Sequence, residues 1–107
     1  MYRLIIQGKN SSDIFALADI EYGKSMGCYT ILHLVNGAKI TSSKPLAYYE
    51  NLLAEHGFIR IHHQYLVNIE HVKSLLNGIP FKIKLSSGNI LPVSRLKKSD
   101  FSGLFLH

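Results

Sequence analysis

Short apolar runs separated by turn sequences dominate the chain, and this pattern predicts a mainly β protein. The clearest run is 81–85, where Phe81, Ile83 and Leu85 alternate with two lysines and so predict a strand with one buried face. Similar runs predict strands at 2–6, 20–22, 28–35, 38–41, 58–61, 72–76 and 90–93. The turns between them include Asn36-Gly37, Asn77-Gly78 and 86–89. Pro92 places the last strand at a sheet edge or an irregular end.

One helix is predicted, beginning near Ser43 with Ser42 or Ser43 as its cap and ending at Gly57. Pro45 fits a first helical turn. The apolar stripe of this helix is formed by Leu46, Tyr49, Leu52 and Leu53. With one helix among many strands, the sequence lacks the strand–helix alternation of a doubly wound fold.

Four further segments receive looser predictions. Residues 14–20 fit either a strand or a helical turn, and 23–27 form a predicted loop with two glycines. Residues 64–68 are predicted as a turn or short helix, since the preceding two histidines and a glutamine suit a central strand poorly. The tail 100–107 predicts a short helix that docks on the sheet.

Composition favours a single globular domain, in which 1–13 forms an N-terminal strand and turn and 14–107 the main part. The net charge is +5 and the pI about 9.4, which suits a polyanionic partner, although many small domains carry such a charge for solubility without binding nucleic acid. Cys28 is the one cysteine, so no internal disulfide forms. No apolar run approaches the ~18–20 residues of a membrane span, and no signal-peptide pattern is present. We therefore expect a cytoplasmic protein.

Neither a metal site nor an enzyme is expected. The six histidines lack ligand spacing, and adjacent His62 and His63 in a strand would point to opposite faces. The seven acidic residues form no recognisable catalytic signature with Cys28 or a serine. The sequence thus predicts no cofactor and no catalysis.

The segment 58–68 places five polar side chains in an otherwise strand-like run, which indicates donors directed outside the core. His63 and Gln64, at the end of the strand, are the candidates for outside contact. Three others are interpreted as mainly structural, namely Arg60, His62 and Asn68. Arg60 is expected to bridge to a carboxylate such as Glu21 or Glu70, and Asn68 to bond its own backbone in a turn.

Two further basic segments accompany 58–68. Arg95, Lys97 and Lys98 follow the last predicted strand, and Lys24 lies in the glycine-bearing loop. Convergence of these segments on one edge would present charge and bidentate donors to phosphates and guanine edges. For Lys97 and Lys98, a merely solvated chain end remains an equal alternative.

Four segments together resemble LytTR-type DNA-binding domains of bacterial transcription regulators. They occur in the family's order and spacing: 18–23 with its I-E pair, 28–31 followed by Asn36-Gly37, 58–68 against F-x-R-x-H-R-S-x-x-V-N, and 91–95 against I-P-V-S-R. The resemblance spans about 14–105. It implies a fold of elongated antiparallel β-sheets with one short helix, in which loops rather than a recognition helix enter DNA grooves.

By this resemblance, three segments contact double-stranded DNA. The first includes Lys24, Ser25, Gly27 and Cys28, and the second His63 and Gln64. In the third, Arg95 is the candidate for a guanine contact, while Lys97 and Lys98 contact phosphates.

The chain departs from the family pattern at two residues of the second segment. His63 replaces an arginine, and Gln64, which replaces a serine, could read an adenine edge. No receiver domain is expected within this chain, and the small size of one module favours a dimer on repeated half-sites. Two alternatives remain: a protein–protein interaction module of the same fold, and a small RNA-binding β domain that would need exposed aromatics such as Tyr29.

Overall fold

The computed structural model describes residues 2–106, so Met1 and His107, at the ends of the predicted ranges 1–13 and 14–107, lie outside the described residues. The strands are β1 Arg3–Gln7, β2 Ser12–Ala16, β3 Ile20–Ser25, β4 Thr30–Leu34, β5 Lys39–Ser42, β6 Phe58–His62, β7 Tyr65–Asn68, β8 Val72–Leu76, β9 Lys82–Leu85 and β10 Ile90–Pro92. The helices are α1 Leu46–Leu53 and α2 Lys98–Ser102, with 3₁₀ turns at Leu17–Asp19, Ala54–His56 and Ile69–His71.

The strands form three antiparallel sheets. The largest has the order β5-β4-β3-β7-β6, the second β10-β9-β8, and the third contains only β1 and β2. The molecule measures 45 × 28 × 24 Å along its principal axes. The predicted fold class, elongated antiparallel sheets with one main short helix, is therefore confirmed. Pro92 lies in β10 at a sheet edge, where a missing N–H donor costs no ladder bond.

The first core forms where α1 packs on one face of the five-stranded sheet. Leu46, Tyr49 and Leu53 of α1 are buried there together with Leu4 and Leu66. The predicted stripe is thus confirmed at three positions, whereas its fourth member, Leu52, is 45% exposed. This arrangement fixes the sheet face that α1 covers.

The predicted serine cap of α1 is wrong. Pro45 occupies the cap position and no side chain bonds the free N–H groups there. The Ser42 hydroxyl instead forms a short hydrogen bond with the Tyr49 hydroxyl and accepts from the Lys44 N–H at 3.2 Å. Ser42 therefore anchors the side of the helix instead of its start.

The second core lies on the other face of the same sheet. Ile61 and Val67 pack there against β9 and against Phe101 of α2, which is fully buried. The predicted alternation in 81–85 is confirmed, because Phe81, Ile83 and Leu85 are buried in this core. No helix of the described residues is long and apolar enough to cross a membrane.

Two segments predicted as irregular are strands. Tyr65–Asn68 is β7, an interior strand between β3 and β6, with Leu66 buried in the first core and Val67 in the second. Because both faces of the sheet are covered, this strand reads as an apolar run without alternation. Residues 23–25 belong to β3, and a Cβ at Gly23 would lie 3.2 Å from side-chain atoms of Leu32 and Leu46. That glycine permits close packing instead of a turn.

Candidate nucleic-acid interface

The first candidate segment is the hairpin joining β3 to β4. Lys24 and Ser25 end β3, and the Met26 N–H donates to the Tyr29 carbonyl at 2.9 Å, which closes the hairpin around Gly27 and Cys28. Gly27 has a φ of +87°, which glycine adopts readily. Cys28 is exposed. Gly27 and Cys28 thus lie at an exposed tip, while Lys24 and Ser25 are held in the sheet.

The second segment is the β6–β7 turn, and Arg60 holds its backbone. The Arg60 Nε donates to the His62 carbonyl at 3.0 Å, and its Nη2 donates to the His63 carbonyl. Its Nη1 donates to Glu50 Oε1 of α1 at 2.8 Å, so the ion-pair partner is Glu50 and not the predicted Glu21 or Glu70. All three nitrogen atoms of the guanidinium therefore donate hydrogen bonds within the protein.

The two histidine rings of this turn lie together. Their centroids are 4.2 Å apart, so the expectation that His62 and His63 point to opposite faces is wrong; His63 has already left the strand. The Gln64 N–H donates to His62 Nδ1 at 3.1 Å, which leaves the proton of the neutral ring on Nε2. Partial burial, and then the charges of His63 and Arg60, lower the pKa of His62 from 6.5. His62 is thus mainly neutral at neutral pH.

The third segment follows β10 and begins next to the second. The Ser94 N–H donates to the Ile61 carbonyl at 2.8 Å, which attaches this segment to β6. Arg95 and Lys97 are exposed, and Lys98 Nζ lies 5.1 Å from the ring centroid of Phe81. Arg95 and Lys98 line one cavity together with His62. The sequence cluster thus lies beside the end of β6.

Hydrogen bonds join the three segments in series. The Ser25 N–H donates to the Gln64 carbonyl at 2.8 Å, and Lys24 pairs with Tyr65, whose ring centroid lies 6.0 Å from Lys24 Nζ. The first segment therefore contacts the second, and the second contacts the third through Ile61. In the described residues, no hydrogen bond joins the first segment to the third directly.

The cations at the three segments form no ion pair among the described residues. Within residues 2–106, Arg60 and Glu50 form the only ion pair. Lys24, Arg95, Lys97 and Lys98 therefore have no carboxylate partner in the described chain. Clustered cations without internal partners create a positive potential that attracts polyanions. No group of three metal-ligating side chains occurs among the described residues.

Two buried polar side chains, Asn68 and Glu21, stabilise the elements that carry the three segments. Asn68 Nδ2 donates to the carbonyls of Leu17 at 3.2 Å and Ile20 at 3.0 Å, and its Oδ1 accepts from the Glu70 N–H at 3.1 Å. The predicted turn bond is thus accompanied by one bond to the 3₁₀ turn before β3 and one to the first residue of β3. Buried amides that are satisfied in this way fix the neighbouring backbone.

Glu21 connects two of the sheets. Its Oε1 accepts from Ser87 Oγ at 2.7 Å and from Asn89 Nδ2 at 3.2 Å, across to the β9–β10 turn. Oε2 of the same carboxylate is buried and has no partner in the described chain. The five-stranded sheet, with the first two segments, is thereby joined to the sheet that carries the third.

Sequence patterns did not indicate the cavity beside Arg95, because its lining comes from three separate parts of the chain. The available signal was Ile79, an isoleucine between Gly78 and Pro80 in a predicted turn, which is 96% exposed. Met26, which is exposed on the first hairpin, was not predicted as a contact residue, and Tyr29, named only for the RNA-binding alternative, is exposed there too.

Comparison with known proteins gives two positive findings. The family model of the LytTr DNA-binding domain matches residues 12–105. A solved structure, the LytTr DNA-binding domain of a Bacillus cereus protein described as a methyl-accepting/DNA response regulator, superimposes with a TM-score of 0.80 at 22% identity. That match covers 95% of this chain and 94% of the other, and at such identity it shows the fold alone. Among curated proteins, no match is found.

Proposed function

Since the chain belongs to the LytTr DNA-binding domain family, we propose that it binds double-stranded DNA in a sequence-specific manner and regulates transcription. The observation that carries this proposal is the series of three connected segments whose cations have no carboxylate partner in the part of the chain that the structure describes. A family of DNA-binding domains, rather than of enzymes, agrees with the absence of a catalytic signature in the sequence.

We assign the contacts by chemistry and exposure. Arg95 is exposed and has no ion-pair partner among residues 2–106, so its fork can bind the O6 and N7 atoms of a guanine. Lys97 and Lys98 contribute phosphate contacts. His63 and Gln64, in the β6–β7 turn, present short-range donors and acceptors to base edges.

The first hairpin supplies the remaining contacts. Lys24 faces phosphate, and Ser25, Gly27 and Cys28 bring backbone and small side chains close to a groove. The β-sheets hold these segments, whereas α1 contains no lysine or arginine and is packed into the first core. Loops rather than a recognition helix therefore enter the DNA.

Arg60, His62 and Asn68 act through other residues. Arg60 holds the carbonyls of His62 and His63, so it fixes where the His63 and Gln64 side chains begin. His62 accepts from the Gln64 N–H and stabilises the same turn. Asn68 attaches the far end of β7 to the start of β3. Because these bonds fix the positions of the contact residues in the free protein, they reduce the entropy cost of binding.

Two protomers are needed for specificity in this proposal. A single module of this size buries only about 600–1,000 Å² of protein surface. Binding to neighbouring half-sites about one helical turn apart doubles the contact area. A dimer on repeated half-sites follows from this argument.

A second candidate function, protein–protein interaction, is favoured by an exposed apolar surface away from the three segments. Tyr2 and Ile5 lie beside Tyr48 and Leu52 of α1 around one shallow cavity, and all four are exposed. Exposed apolar surface of this kind is typical of partner contacts. Such a contact is compatible with DNA binding, because the two surfaces share no residue.

Selection of bound sites from a random duplex library at moderate salt tests the proposal. We expect an enriched motif, repeated at about one-turn spacing. Lys73 is an exposed lysine outside the three segments, so the Lys73→Ala variant serves as the matched control for variants within them. Weak, unenriched binding that disappears with salt would mean that the net charge acts alone, and preferential binding of single-stranded RNA would favour the RNA-binding alternative.

A further inference from the structure

The third segment begins with a hydrogen-bonded turn that carries one cation and one apolar side chain at its tip. The Lys97 N–H donates to the Ser94 carbonyl at 3.0 Å, so Arg95 and Leu96 are the two central residues of this turn. The Leu96 side chain is 89% exposed. It is the one apolar side chain in 95–98, since the other three residues are cations.

Hydrogen bonds hold this turn at both ends. Before the tip, the Ser94 N–H donates to the Ile61 carbonyl at 2.8 Å, which attaches the turn to β6. After the tip, the Lys97 carbonyl accepts from the Phe101 N–H at 2.9 Å, and the Phe101 side chain is fully buried in the second core. The backbone of the turn is therefore fixed, while its two tip side chains lie outside the protein.

The position of Leu96, and not its exposure alone, indicates a role. Isolated apolar side chains are common on protein surfaces. Leu96, however, directly follows Arg95, and the guanine atoms assigned to Arg95 lie in the major groove. Successive Cα atoms are about 3.8 Å apart, and successive base pairs are about 3.4 Å apart. A fixed turn that places Arg95 on one base pair therefore places Leu96 at the next base pair, in the same groove.

The chemistry of the major groove selects the base that suits a leucine. Each base edge there displays hydrogen-bond donors and acceptors, and thymine adds one apolar group, its 5-methyl. Leucine has no donor or acceptor, so against a polar edge it displaces water without replacing the hydrogen bonds, which weakens binding. Against the thymine methyl, both contacting groups are apolar and both leave water. Leu96 therefore favours thymine over the other three bases.

We propose that Leu96 is a specificity-determining residue that contacts the 5-methyl group of a thymine in the base pair next to the guanine bound by Arg95. This inference rests on the proposed function and deepens it, because it names a second base of the recognised site. The turn 94–97 then reads two neighbouring base pairs, one through hydrogen bonds and the other through an apolar contact.

Site selection with variants tests the assignment of the base. The position at which Arg95→Ala loses base preference identifies the guanine, and the parent chain should prefer thymine in a base pair next to it. Leu96→Ala should keep the guanine preference and lose the thymine preference, whereas Leu96→Met, which is apolar and similar in size, should keep both. Leu106 is a fully exposed leucine outside the three segments, so Leu106→Ala should select the same site as the parent.

Replacing single thymines of the selected duplex by deoxyuridine tests the contact itself, because uracil lacks only the methyl group. At the thymine next to the guanine, this change should weaken binding of the parent chain about three- to fourfold, as expected for one methyl group left in water. In Leu96→Ala the same change should weaken binding less than about 1.5-fold, because the partner of the methyl group is already gone.

The outcomes separate this inference from the proposed function. Equal loss on deoxyuridine substitution in the parent and in Leu96→Ala would overturn the inference, because the methyl group would then contact another residue. Equal weakening of selected and random duplexes by Leu96→Ala would overturn it as well, since Leu96 would then contact only the sugar–phosphate backbone. In both cases an enriched duplex still supports the proposed function. If the parent chain enriches no duplex at all, the proposed function fails, and the Leu96 contact fails with it.

Discussion

Arg60 and Arg95 both lie near His62, and they are used in opposite ways. Arg60 is 21% exposed and donates to Glu50 and to two backbone carbonyls. Arg95 is exposed and has no ion-pair partner in the described chain. Both residues are arginines, and each lies only a few residues from the end of a strand, Arg60 from the end of β6 and Arg95 from the end of β10.

The difference shows that the hydrogen bonds an arginine makes within the protein decide whether its N–H donors can bind a partner molecule. A guanidinium has five N–H donors in one plane, and Arg60 directs its bonds towards its own turn. Arg95 keeps its donors for a partner. One arginine therefore determines the geometry of the surface, and the other is available to read a ligand on that surface.

The largest expected effect concerns the stability of the Arg60 region. Arg60→Ala removes three charge-assisted hydrogen bonds, so the free energy of unfolding should fall by about 2–3 kcal/mol, measured by urea denaturation. Glu50→Gln keeps the two backbone bonds and removes only a partly exposed ion pair, so it should cost less than about 1 kcal/mol. Equal losses would show that the ion pair, and not the hold on the turn, stabilises this region.

A substitution of Arg95 should affect DNA binding instead of the stability of the fold. Arg95→Ala should weaken binding to the selected site by about 1–3 kcal/mol and relax base preference at one position. Its free energy of unfolding should stay within about 0.5 kcal/mol of the parent value, because the side chain is exposed. Equal weakening on selected and random duplexes would reduce Arg95 to a phosphate contact.

Lys97 provides a smaller test of the same region. Lys97→Ala should weaken all duplexes alike and reduce the slope of log K against log salt by about 0.9, as expected for one lost phosphate contact. Measuring affinity at several salt concentrations gives this slope directly. An unchanged slope would support the alternative in which Lys97 is only a solvated chain end.

The smallest expected effect is on the pKa of His62, which lies between the two arginines. Burial, His63 and Arg60 lower this pKa, so Arg60→Met should raise it, whereas Arg95→Met should leave it in place, both measured by NMR titration. Because the folded pKa lies below the unfolded value of about 6.5, the unfolded chain takes up the proton first, and stability should fall as pH decreases through 6.5. A shift of equal size in both variants would contradict the distinction between the two regions.

The strands could be predicted wherever one face is buried and the other exposed. In 81–85 the alternation of apolar residues with lysines carried this information, and β9 was found there. The same rule fails for β7, because Leu66 and Val67 are buried on opposite faces and leave no alternation to detect. The two histidines and the glutamine before it then suggested a turn or short helix over 64–68, whereas the turn is confined to His63 and Gln64.

The basic side chains of the three candidate segments could be selected from the sequence, but their pairing within the protein could not. The basic residues were visible in sequence, since charge needs no fold to be recognised. The partner of Arg60 was not, because Glu50 becomes its neighbour only when α1 packs beside β6. The cavity beside Arg95 could not be predicted for the same reason, because its apolar lining and its cations come from different elements.

The bond from Asn68 to Ile20, the first residue of β3, has a consequence for the order of folding. Asn68 and Ile20 are 48 residues apart in the chain, whereas the β3–β4 and β6–β7 hairpins each close locally. Closing a long loop is slow compared with forming a hairpin. The hairpins can therefore form early as separate pieces, but the continuous surface that they share comes into existence only when the chain has closed between β3 and β7.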